Sequence, residues 1–310
     1  MKKPTHLQAI LLGVLITIIW STSWVLIKIG LKDIPALTFA GLRYVLAAVL
    51  LVPLLFRKDL RKQVKSFSLR QWGIMIIYGF TLYFVAQGGQ YGGLAYLPSV
   101  TVVLILNLTS LFVALLSNVM LKEKLSRLQW TGVLLNLVGV LVYFNPFKPV
   151  EGHWLGWLFA FLSLAGNTVG SLLGRHINRE SEVHPIVITG VSMLIGSVIM
   201  LVTGIAWQGL PPLSMQSIWI IVILAVINTA VCFTLWNYIQ RTLQATETSI
   251  INNTMIVYVA ILAWIFMGEK QTVVGIIGLV LAMGGAMLVQ LKRKPRQKKD
   301  GRGAVGTDML

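Results

Sequence analysis

Charged residues are scarce in this chain of 310 residues, in which only 12% of the side chains are Asp, Glu, Lys or Arg. Soluble domains carry about twice that fraction. The hydrophobic share is 56% and the mean hydropathy is +0.79, which is more apolar surface than soluble domains of this total length bury. This composition excludes a soluble enzyme, a disordered chain and a collagen-like fibre, and it makes lipid the expected solvent.

Acidic residues are fewer still, because ten Asp and Glu stand against 26 Lys and Arg and give a formal net charge of +16. The cations cluster in short gaps between apolar runs, as in the cytoplasmic loops of membrane proteins, so nucleic acid is not an expected partner. Cys232 is the single cysteine, which excludes an internal disulfide. We interpret it as a small packing residue.

No acidic residue or histidine lies in the middle of an apolar run. Proton relays and counter-charges for cationic drugs usually need such a group within the membrane. Glu247, at the predicted inner start of a span, is the one acid kept as a weak coupling candidate. The pattern G-x-x-x-x-G-K-[S/T] is also absent, so we do not expect ATP to drive the protein directly, and no motif indicates a metal or another cofactor.

Apolar runs of about 20 residues, the length that crosses the hydrocarbon core as a helix, occur ten times. Pro, Gly or charged residues separate them, and they lack the alternation of a transmembrane barrel. We therefore predict an all-α integral membrane protein with ten transmembrane helices. The predicted spans are residues 8–30, 35–56, 71–92, 97–120, 128–145, 154–175, 185–206, 217–239, 246–267 and 272–291.

The cations lie mainly on one side of such a bundle. With the N-terminus inside, 21 of the 26 Lys and Arg fall in inner segments, four fall in outer segments, and Arg43 lies within a span. Cytoplasmic loops carry this excess, so we predict that both termini are cytoplasmic in a multi-pass protein of the inner or plasma membrane. We predict that the basic tail at residues 292–310 is disordered and contacts anionic lipid.

A spacing of 146 residues relates the two halves of the chain. The matching positions are Glu123 with Glu269, Ser126 with Thr272, Gly132 with Gly278, Gly139 with Gly285, and Asn107 with Asn253. Five helices form each copy, and an odd number makes the second copy enter the membrane from the opposite side. We therefore predict two inverted five-helix repeats, residues 1–145 and 146–291, an arrangement typical of alternating-access transporters.

Span one adds the run Trp20-Ser21-Thr22-Ser23, followed by Lys28. Together with the repeat, its two glutamates and the Gly-x6-Gly pattern, this run resembles the drug/metabolite transporter superfamily, and within it the EamA-type permeases, which include bacterial amino-acid and metabolite exporters. The resemblance implies a transporter and not an enzyme. Members often carry proline in the middle of spans four and nine. This chain has Asn107 and Asn253 there, so no proline indicates a helix break.

Three classes of function remain to be compared. We expect a secondary transporter that exports small metabolites, with amino acids or related amphipathic compounds as substrates. The alternative is a drug or cation efflux carrier, although span one lacks the glutamate of small multidrug antiporters of the same superfamily. An intramembrane enzyme would need a nucleophile and a base at depth, where there is no histidine. The expected partners are a small-molecule substrate and membrane lipids, and the expected state is a monomer.

Two cationic residues lie within the predicted spans, and the sequence allows two interpretations of each. Arg43 lies about 12 Å from the outer end of span two, at about 1.5 Å per residue. It either binds a carboxylate or phosphate through its guanidinium fork or clamps the carbonyls at the end of a neighbouring helix. Lys28, near the outer end of span one, either extends to the membrane surface or has the role that the resemblance implies for it.

Asn107 and Asn253 each lie about 24 Å along the helix from their respective glutamates, which places both near the membrane midplane. They either form an interhelical hydrogen bond or contact a polar substrate. The other predicted lining of the substrate cavity combines aromatic rings with amides and hydroxyls. These residues are Trp20, Ser21, Trp24, Tyr83, Gln87, Tyr91, Asn167, Trp236, Asn237 and Tyr238.

The two repeated glutamates are predicted to have structural roles. Glu123 and Glu269 each precede a helix, where a negative charge suits the positive end of the helix dipole. Ser126 and Thr272 are suitable N-cap residues for the same two helices. The glycines of each Gly-x6-Gly pattern lie two turns apart on one face and so permit close packing between helices.

Overall fold

The computed structural model describes residues 4–121, 126–144, 153–180, 183–239, 242–243 and 251–290. Within these ranges the chain is helical and has no strand, so the predicted all-α class is confirmed. The helices are α1 (His6–Gly30), α2 (Ala36–Leu55), α3 (Lys58–Lys65), α4 (Leu69–Gly79), α5 (Gly88–Tyr96), α6 (Ser99–Asn107), α7 (Thr109–Leu121), α8 (Arg127–Phe144), α9 (Trp154–Glu180), α10 (Pro185–Gln208), α11 (Met215–Ile223), α12 (Cys232–Ile239), α13 (Met255–Met267) and α14 (Val273–Gln290).

Seven of the helical stretches in these ranges are long and apolar enough to cross a membrane. They are His6–Gly30, Ala36–Leu55, Leu69–Tyr96, Ser99–Leu116, Arg127–Phe144, Trp154–Gly174 and Ile186–Gln208. Three shorter apolar helices follow at Met215–Val231, Ile251–Met267 and Val273–Val289. The chain has the helices of a multi-pass membrane protein, and the ten-span count and the cytoplasmic termini stay predictions.

Large apolar side chains cover the outside of the bundle. Leu141 on α8, Val202 on α10 and Trp264 on α13 are 63%, 61% and 57% exposed. Such side chains would be costly in water, but lipid tails are as apolar as they are. The main core lies inside, where Phe39 of α2 packs edge-on against Tyr91 of α5 with 5.2 Å between ring centroids. This inside-to-outside pattern is that of a helix bundle in lipid.

Glycines bring α8 and α14 into backbone contact. All four glycines of the repeated pattern lie at this contact: Gly132, Gly139, Gly278 and Gly285. A Cβ atom added to Gly139 would lie 2.2 Å from the backbone nitrogen of Ala282, and one added to Gly285 would lie 2.2 Å from that of Asn136. The two helices therefore touch along a seam that has no room for a methyl group, as the Gly-x6-Gly spacing predicts.

Two helices are interrupted at positions that the sequence repeat relates. α6 ends at Asn107 and Leu108 forms a turn, while a helical stretch at residues 251–253 ends at a turn formed by Thr254. The hydroxyl of Ser110 donates to the Asn107 carbonyl at 3.1 Å, and the hydroxyl of Thr254 donates to the Ile251 carbonyl at 2.6 Å. Such bonds compete with the helical ladder. Hydroxyl and amide residues therefore accompany the breaks without proline.

Two eight-residue π-helical segments also interrupt the α-helices. The first, Phe80–Gln87, joins α4 to α5, and the second, Leu224–Val231, joins α11 to α12. In the second segment the Thr229 hydroxyl donates to the carbonyl of Leu224, five residues earlier, at 2.9 Å. π turns inside α-helices are frequent at functional sites. Both segments contribute to the site described next.

Candidate functional site

A cluster of polar and aromatic side chains surrounds Arg43 inside the bundle, and we call it the arginine–tyrosine cluster. Its members are Arg43 and Tyr44 on α2, Tyr83 and Gln87 on the first π segment, Tyr91 on α5, and Thr229 on the second π segment. Both π segments thus carry a side chain into the cluster. Sequence analysis predicted four of the six residues for the substrate cavity.

Arg43 is held from three sides and is only 5% exposed. Its Nε donates to the Thr229 hydroxyl at 3.2 Å, and its Nη1 donates to the Tyr91 hydroxyl at 3.1 Å. The guanidinium carbon lies 5.0 Å from the ring centroid of Tyr44, within the range of a cation–π contact. These contacts fix the direction of the guanidinium group.

A second layer of contacts holds Tyr44 itself. The Tyr44 hydroxyl donates to Gln87 Oε1 at 2.6 Å, and its ring packs against that of Tyr83 with 5.8 Å between centroids. Tyr44 therefore joins the guanidinium of Arg43 to the polar end of Gln87. The result is a preorganised group of side chains that spans α2, α5 and the first π segment.

The positive charge of Arg43 has no partner of opposite charge among the residues that the structure describes. Its two hydrogen bonds end on neutral hydroxyls, and neither ends on a backbone carbonyl. The described residues therefore do not show Arg43 bonded to helix-end carbonyls, which was one of the two interpretations of this residue. A buried, unpaired cation costs several kcal/mol, and such residues usually face a partner or a cavity.

A tryptophan pair lies between α1 and α12. The rings of Trp20 and Trp236 are 5.0 Å apart at their centroids. The Trp20 indole Nε1 donates at 2.8 Å to the backbone carbonyl of Asn228, which belongs to the second π segment. The side chain of Asn228 in turn donates to the Ile19 carbonyl at 2.6 Å. These bonds tie α1 to the second π segment.

The two repeated amides have different surroundings. Asn107 Oδ1 accepts a hydrogen bond from Asn136 Nδ2 of α8 at 3.1 Å, and the same Nδ2 also donates to the Ala282 carbonyl of α14 at 2.6 Å. Asn253 is 8% exposed, and its Nδ2 has no hydrogen-bond partner in the part of the chain that is described. Asn107 is thus a link between helices, while Asn253 presents an unpaired donor beside a helix break.

The remaining predicted cavity residues lie in several places. Trp24 is buried in the main core with Tyr83 and Tyr91. The Ser21 hydroxyl donates to the Thr17 carbonyl at 2.7 Å within α1, and Asn167 donates to the Ser163 carbonyl at 2.9 Å within α9. The Ser21 hydroxyl also donates to the Met255 carbonyl of α13 at 3.5 Å, whereas the Asn167 bond stays within its own helix.

Two further candidates lie on α12. Tyr238 is half-buried and has a contact partner. The side chain of Asn237 lies outside the described part of the chain.

The side chain of Glu269 contacts the start of α6, although in the sequence Glu269 precedes α14. Its two carboxylate oxygens accept from the backbone N–H groups of Ser99 at 2.9 Å and Val100 at 3.3 Å. Lys28 Nζ lies 3.6 Å from the same carboxylate. Gly268 precedes it in the left-handed conformation, with φ of 69°, which favours glycine. This turn aims Glu269 at the positive end of α6.

The other predicted caps can be located in part. The Thr272 hydroxyl accepts from the backbone N–H of Gly275 at 3.0 Å, and the Ser126 hydroxyl accepts from that of Gln129 at 3.3 Å. Both distances fit an N-cap. Glu123 and Glu247 lie outside the described residues. Within the described ranges, no group of three His, Cys, Asp or Glu is placed to hold a metal ion.

Four residues that form these contacts were not among the site residues that sequence analysis predicted. They are Tyr44, Asn136, Asn228 and Thr229. Asn136 and the pair Asn228-Thr229 are polar residues within apolar runs, which is a signal that could have found them. Tyr44 is also an aromatic residue within an apolar run, but its contact with Arg43 was not expected, because adjacent residues on a helix do not usually face each other.

Comparison with known proteins identifies relatives over nearly the whole chain. An uncharacterized transporter, YoaV, from Bacillus subtilis is 25% identical over 90% of this chain and 96% of that protein. A probable amino-acid metabolite efflux pump from Salmonella typhimurium is 26% identical over 88% and 92%. An S-adenosylmethionine/S-adenosylhomocysteine transporter from Chlamydia trachomatis is 29% identical over 92% and 89%.

The fold and the family are also recognised directly. Among the solved structures that match is a crystal structure with a TM-score of 0.65 and 18% identity, covering 90% of this chain and 95% of that chain, which shows a common fold. The model of the EamA-like transporter family matches twice, at residues 7–145 and 154–291. Together these two matches cover most of the sequence. The chain therefore belongs to the EamA-like transporter family, and its function is transport.

Proposed function

We propose that this protein is a secondary transporter that exports small metabolites with a carboxylate group, namely amino acids or related amphipathic compounds, across the cell membrane by alternating access. Arg43 is the observation that carries the proposal. It is buried, its guanidinium group is oriented by Thr229, Tyr91 and Tyr44, and no described residue neutralises it. A substrate carboxylate would supply the missing charge, and the fork geometry of Arg suits it.

The rest of the cluster suits an amphipathic molecule. Tyr44, Tyr83 and Tyr91 bring apolar rings to the cluster, and Gln87 brings an amide. Pockets that combine aromatic walls with a few oriented polar groups are typical of small-molecule sites. The relative from Salmonella is named for amino-acid metabolites, and the chlamydial relative for a compound that contains an amino-acid group. Both names support this substrate class.

Alternating access is supported by the way the helices pair. α2 packs against α10, and α8 packs against α14. In the same way, α1 packs against α12 and α13, and its counterpart α9 packs against α5 and α7. Exchanging the two halves reproduces these pairs. The two helix breaks follow the 146-residue spacing, and the family model matches each half once. These features support two inverted repeats, the arrangement in which one half rocks against the other around a central site.

Export of drugs or cations is the competing function. Arg43 would repel a cationic substrate at short range, because like charges in a low dielectric are strongly unfavourable. No described acidic side chain lies next to Arg43 to reverse that charge. The substrate panel below therefore includes cationic dyes as a direct comparison.

Counterflow of a labelled amino acid into liposomes that contain the purified protein tests the proposal. The competitors are amino acids, the amines left when their carboxylates are removed, sugars and cationic dyes. We expect amino acids to compete and the matching amines not to compete. Arg43→Gln should weaken apparent affinity roughly 10- to 150-fold, since a lost bond to a charged group costs about 1.5–3 kcal/mol.

Arg70→Gln is the matched control, because Arg70 is exposed at the end of the bundle. It should leave the affinity unchanged, and the melting temperature of each variant shows whether it is folded. Competition by dyes but not by amino acids would reject the proposal in favour of drug or cation efflux.

A further inference from the structure

Helix α3 carries a continuous stripe of positive charge that the transport site does not use. Lys58, Arg61, Lys62 and Lys65 stand at positions i, i+3, i+4 and i+7, which lie on one face of a helix. All four side chains are exposed. Asp59 is the one acidic residue between positions 57 and 70, so the face stays strongly positive.

The opposite face of α3 is fixed to the bundle. Leu60 is 7% exposed and packs in a small core with Met75 of α4 and Ile188 of α10. The side chain of Gln63 accepts a hydrogen bond from the backbone N–H of His184 at 3.0 Å, just before α10. Because these contacts hold one face inward, the basic face points away from the other helices.

Exposed apolar side chains stand at both ends of this stripe. Phe56, just after α2, is 68% exposed, and Leu69, at the first position of α4, is 91% exposed. Arg57 and Arg70 follow them directly and are also exposed. An apolar side chain next to a cation is the composition of segments that lie at the boundary between acyl chains and headgroups.

We propose that the basic face of α3, together with Arg57 and Arg70, binds the headgroups of anionic phospholipids, while Phe56 and Leu69 contact the acyl chains. The charge of the stripe is complementary to a phosphodiester. Leu69 stands on the same helix as the exposed Ile76 and Ile77, and Phe56 directly follows α2, whose Leu54 is also exposed. These exposed apolar neighbours favour a lipid over a soluble acidic protein, and the proposal does not depend on which substrate is transported.

Quenching by brominated lipids measures this binding at one place. Ser66, exposed one residue after α3, becomes the attachment site for a fluorophore in a Ser66→Cys, Cys232→Ala variant, because Cys232 is the only native cysteine. In liposomes of phosphatidylcholine, small fractions of brominated phosphatidylglycerol should quench the probe more strongly than equal fractions of brominated phosphatidylcholine. High salt should weaken that preference, since screening acts on exposed charges.

The triple variant Arg61→Gln, Lys62→Gln, Lys65→Gln should weaken the preference by roughly fivefold for each cation removed. Lys32→Gln with Lys270→Gln is the matched control, because both lysines are exposed and lie outside the stripe. It should leave the preference unchanged. Equal quenching by the two brominated lipids in the labelled protein with all four stripe cations present would overturn the proposal. A triple variant that keeps the same lipid preference as the control would also overturn it.

Native mass spectrometry of the unlabelled protein provides a second measurement if the labelled variant does not fold. The chain should retain phosphatidylglycerol in preference to phosphatidylcholine, and the triple variant should lose that selectivity. Equal retention of the two lipids by the unaltered chain would also overturn the proposal.

Discussion

Two side chains that the sequence repeat makes equivalent differ in what they meet inside the protein. The side-chain oxygen Oδ1 of Asn107 accepts a hydrogen bond from Asn136, whereas the Nδ2 group of Asn253 is buried without a partner in the described chain. A buried donor that lacks an acceptor costs about 1–3 kcal/mol. Proteins keep such a cost where a ligand, water or another state supplies the acceptor. We therefore infer that Asn253 contributes to binding and Asn107 to stability.

Leucine at each position separates these roles, because it has similar volume and no polar group. Asn253→Leu should weaken substrate affinity by roughly 10-fold or more while the melting temperature stays level or rises. Asn107→Leu should lower the melting temperature and leave affinity nearly unchanged, since an interhelical bond in a membrane protein contributes about 0.6 kcal/mol. Counterflow affinity and melting in detergent provide the two measurements.

Equal behaviour of the two leucine variants would contradict this assignment. If both melted lower and bound substrate normally, both amides would serve helix packing. The substrate site would then lie in the arginine–tyrosine cluster without the repeated amides.

Sequence reasoning at this scale found residues but not their contacts. Arg43, Gln87 and Tyr91 were identified as polar or aromatic residues within apolar runs, and the structure places them in one cluster. Thr229 reaches Arg43 from a π segment, and a π turn has no reliable pattern in a single sequence. Tyr44 follows Arg43 directly, so helical spacing gave no reason to expect their cation–π contact.

At the scale of elements, the seam between α8 and α14 depends on where the glycines stand. Gly284 and Gly285 are neighbours on α14 with opposite surroundings. The nearest atom to a Cβ on Gly284 would be a Leu135 methyl group at 3.9 Å, whereas a Cβ on Gly285 would meet the backbone of Asn136 at 2.2 Å. The seam can therefore be probed by two substitutions that differ by one position.

Gly285→Ala should lower the melting temperature markedly, because the backbones of α8 and α14 must move apart to admit a methyl group. Gly284→Ala is the matched control and should be neutral or stabilising by up to about 1 kcal/mol, the difference in helix propensity between the two residues. Thermal unfolding in one detergent gives both values. A Gly284→Ala variant that melts as low as Gly285→Ala would show that the seam is not the cause.

The bonds of Glu269 to α6 give a further prediction at this scale. Glu269→Gln should lower the melting temperature more than Lys28→Gln does. Removing the negative charge weakens two hydrogen bonds from the positive end of a helix, whereas Lys28 contributes one longer ion pair at 3.6 Å. Melting of the two single variants and of the double variant measures the effects. A larger effect of Lys28→Gln would contradict this order.

Local rules predicted some element boundaries and missed others. The predicted N-caps Ser126 and Thr272 accept backbone N–H bonds at the starts of α8 and α14, and glycine spacing predicted close packing between helices. The turns at Leu108 and Thr254 were not predicted, because no proline marks them. Their cause is the competition of nearby hydroxyl groups for backbone carbonyls, and many hydroxyl residues in helices bond in this way without breaking the helix.

At the scale of the whole molecule, the distribution of cations predicts an orientation that can be measured directly. A reporter active only outside the cytoplasm should be silent when fused after Leu310 or within residues 57–70. The same reporter should be active near Gly152 or Pro211, because these positions lie in segments with few cations. Activity of the C-terminal fusion would contradict both the even number of spans and the pairing of five helices with five.

Helix α6 is a short rod with hydrogen bonds to other helices or turns at both of its ends. Glu269 holds its first N–H groups near Lys28, and Asn136 holds the side chain of its last residue, Asn107. Its nine residues span roughly 14 Å at about 1.5 Å per residue. Since a rod transmits displacement along its length, a shift of α6 along its own axis must strain the Asn136 bond and the Glu269 bonds together. By thermodynamic linkage this coupling is reciprocal, so loosening one attachment changes the strength of the other by the same free energy.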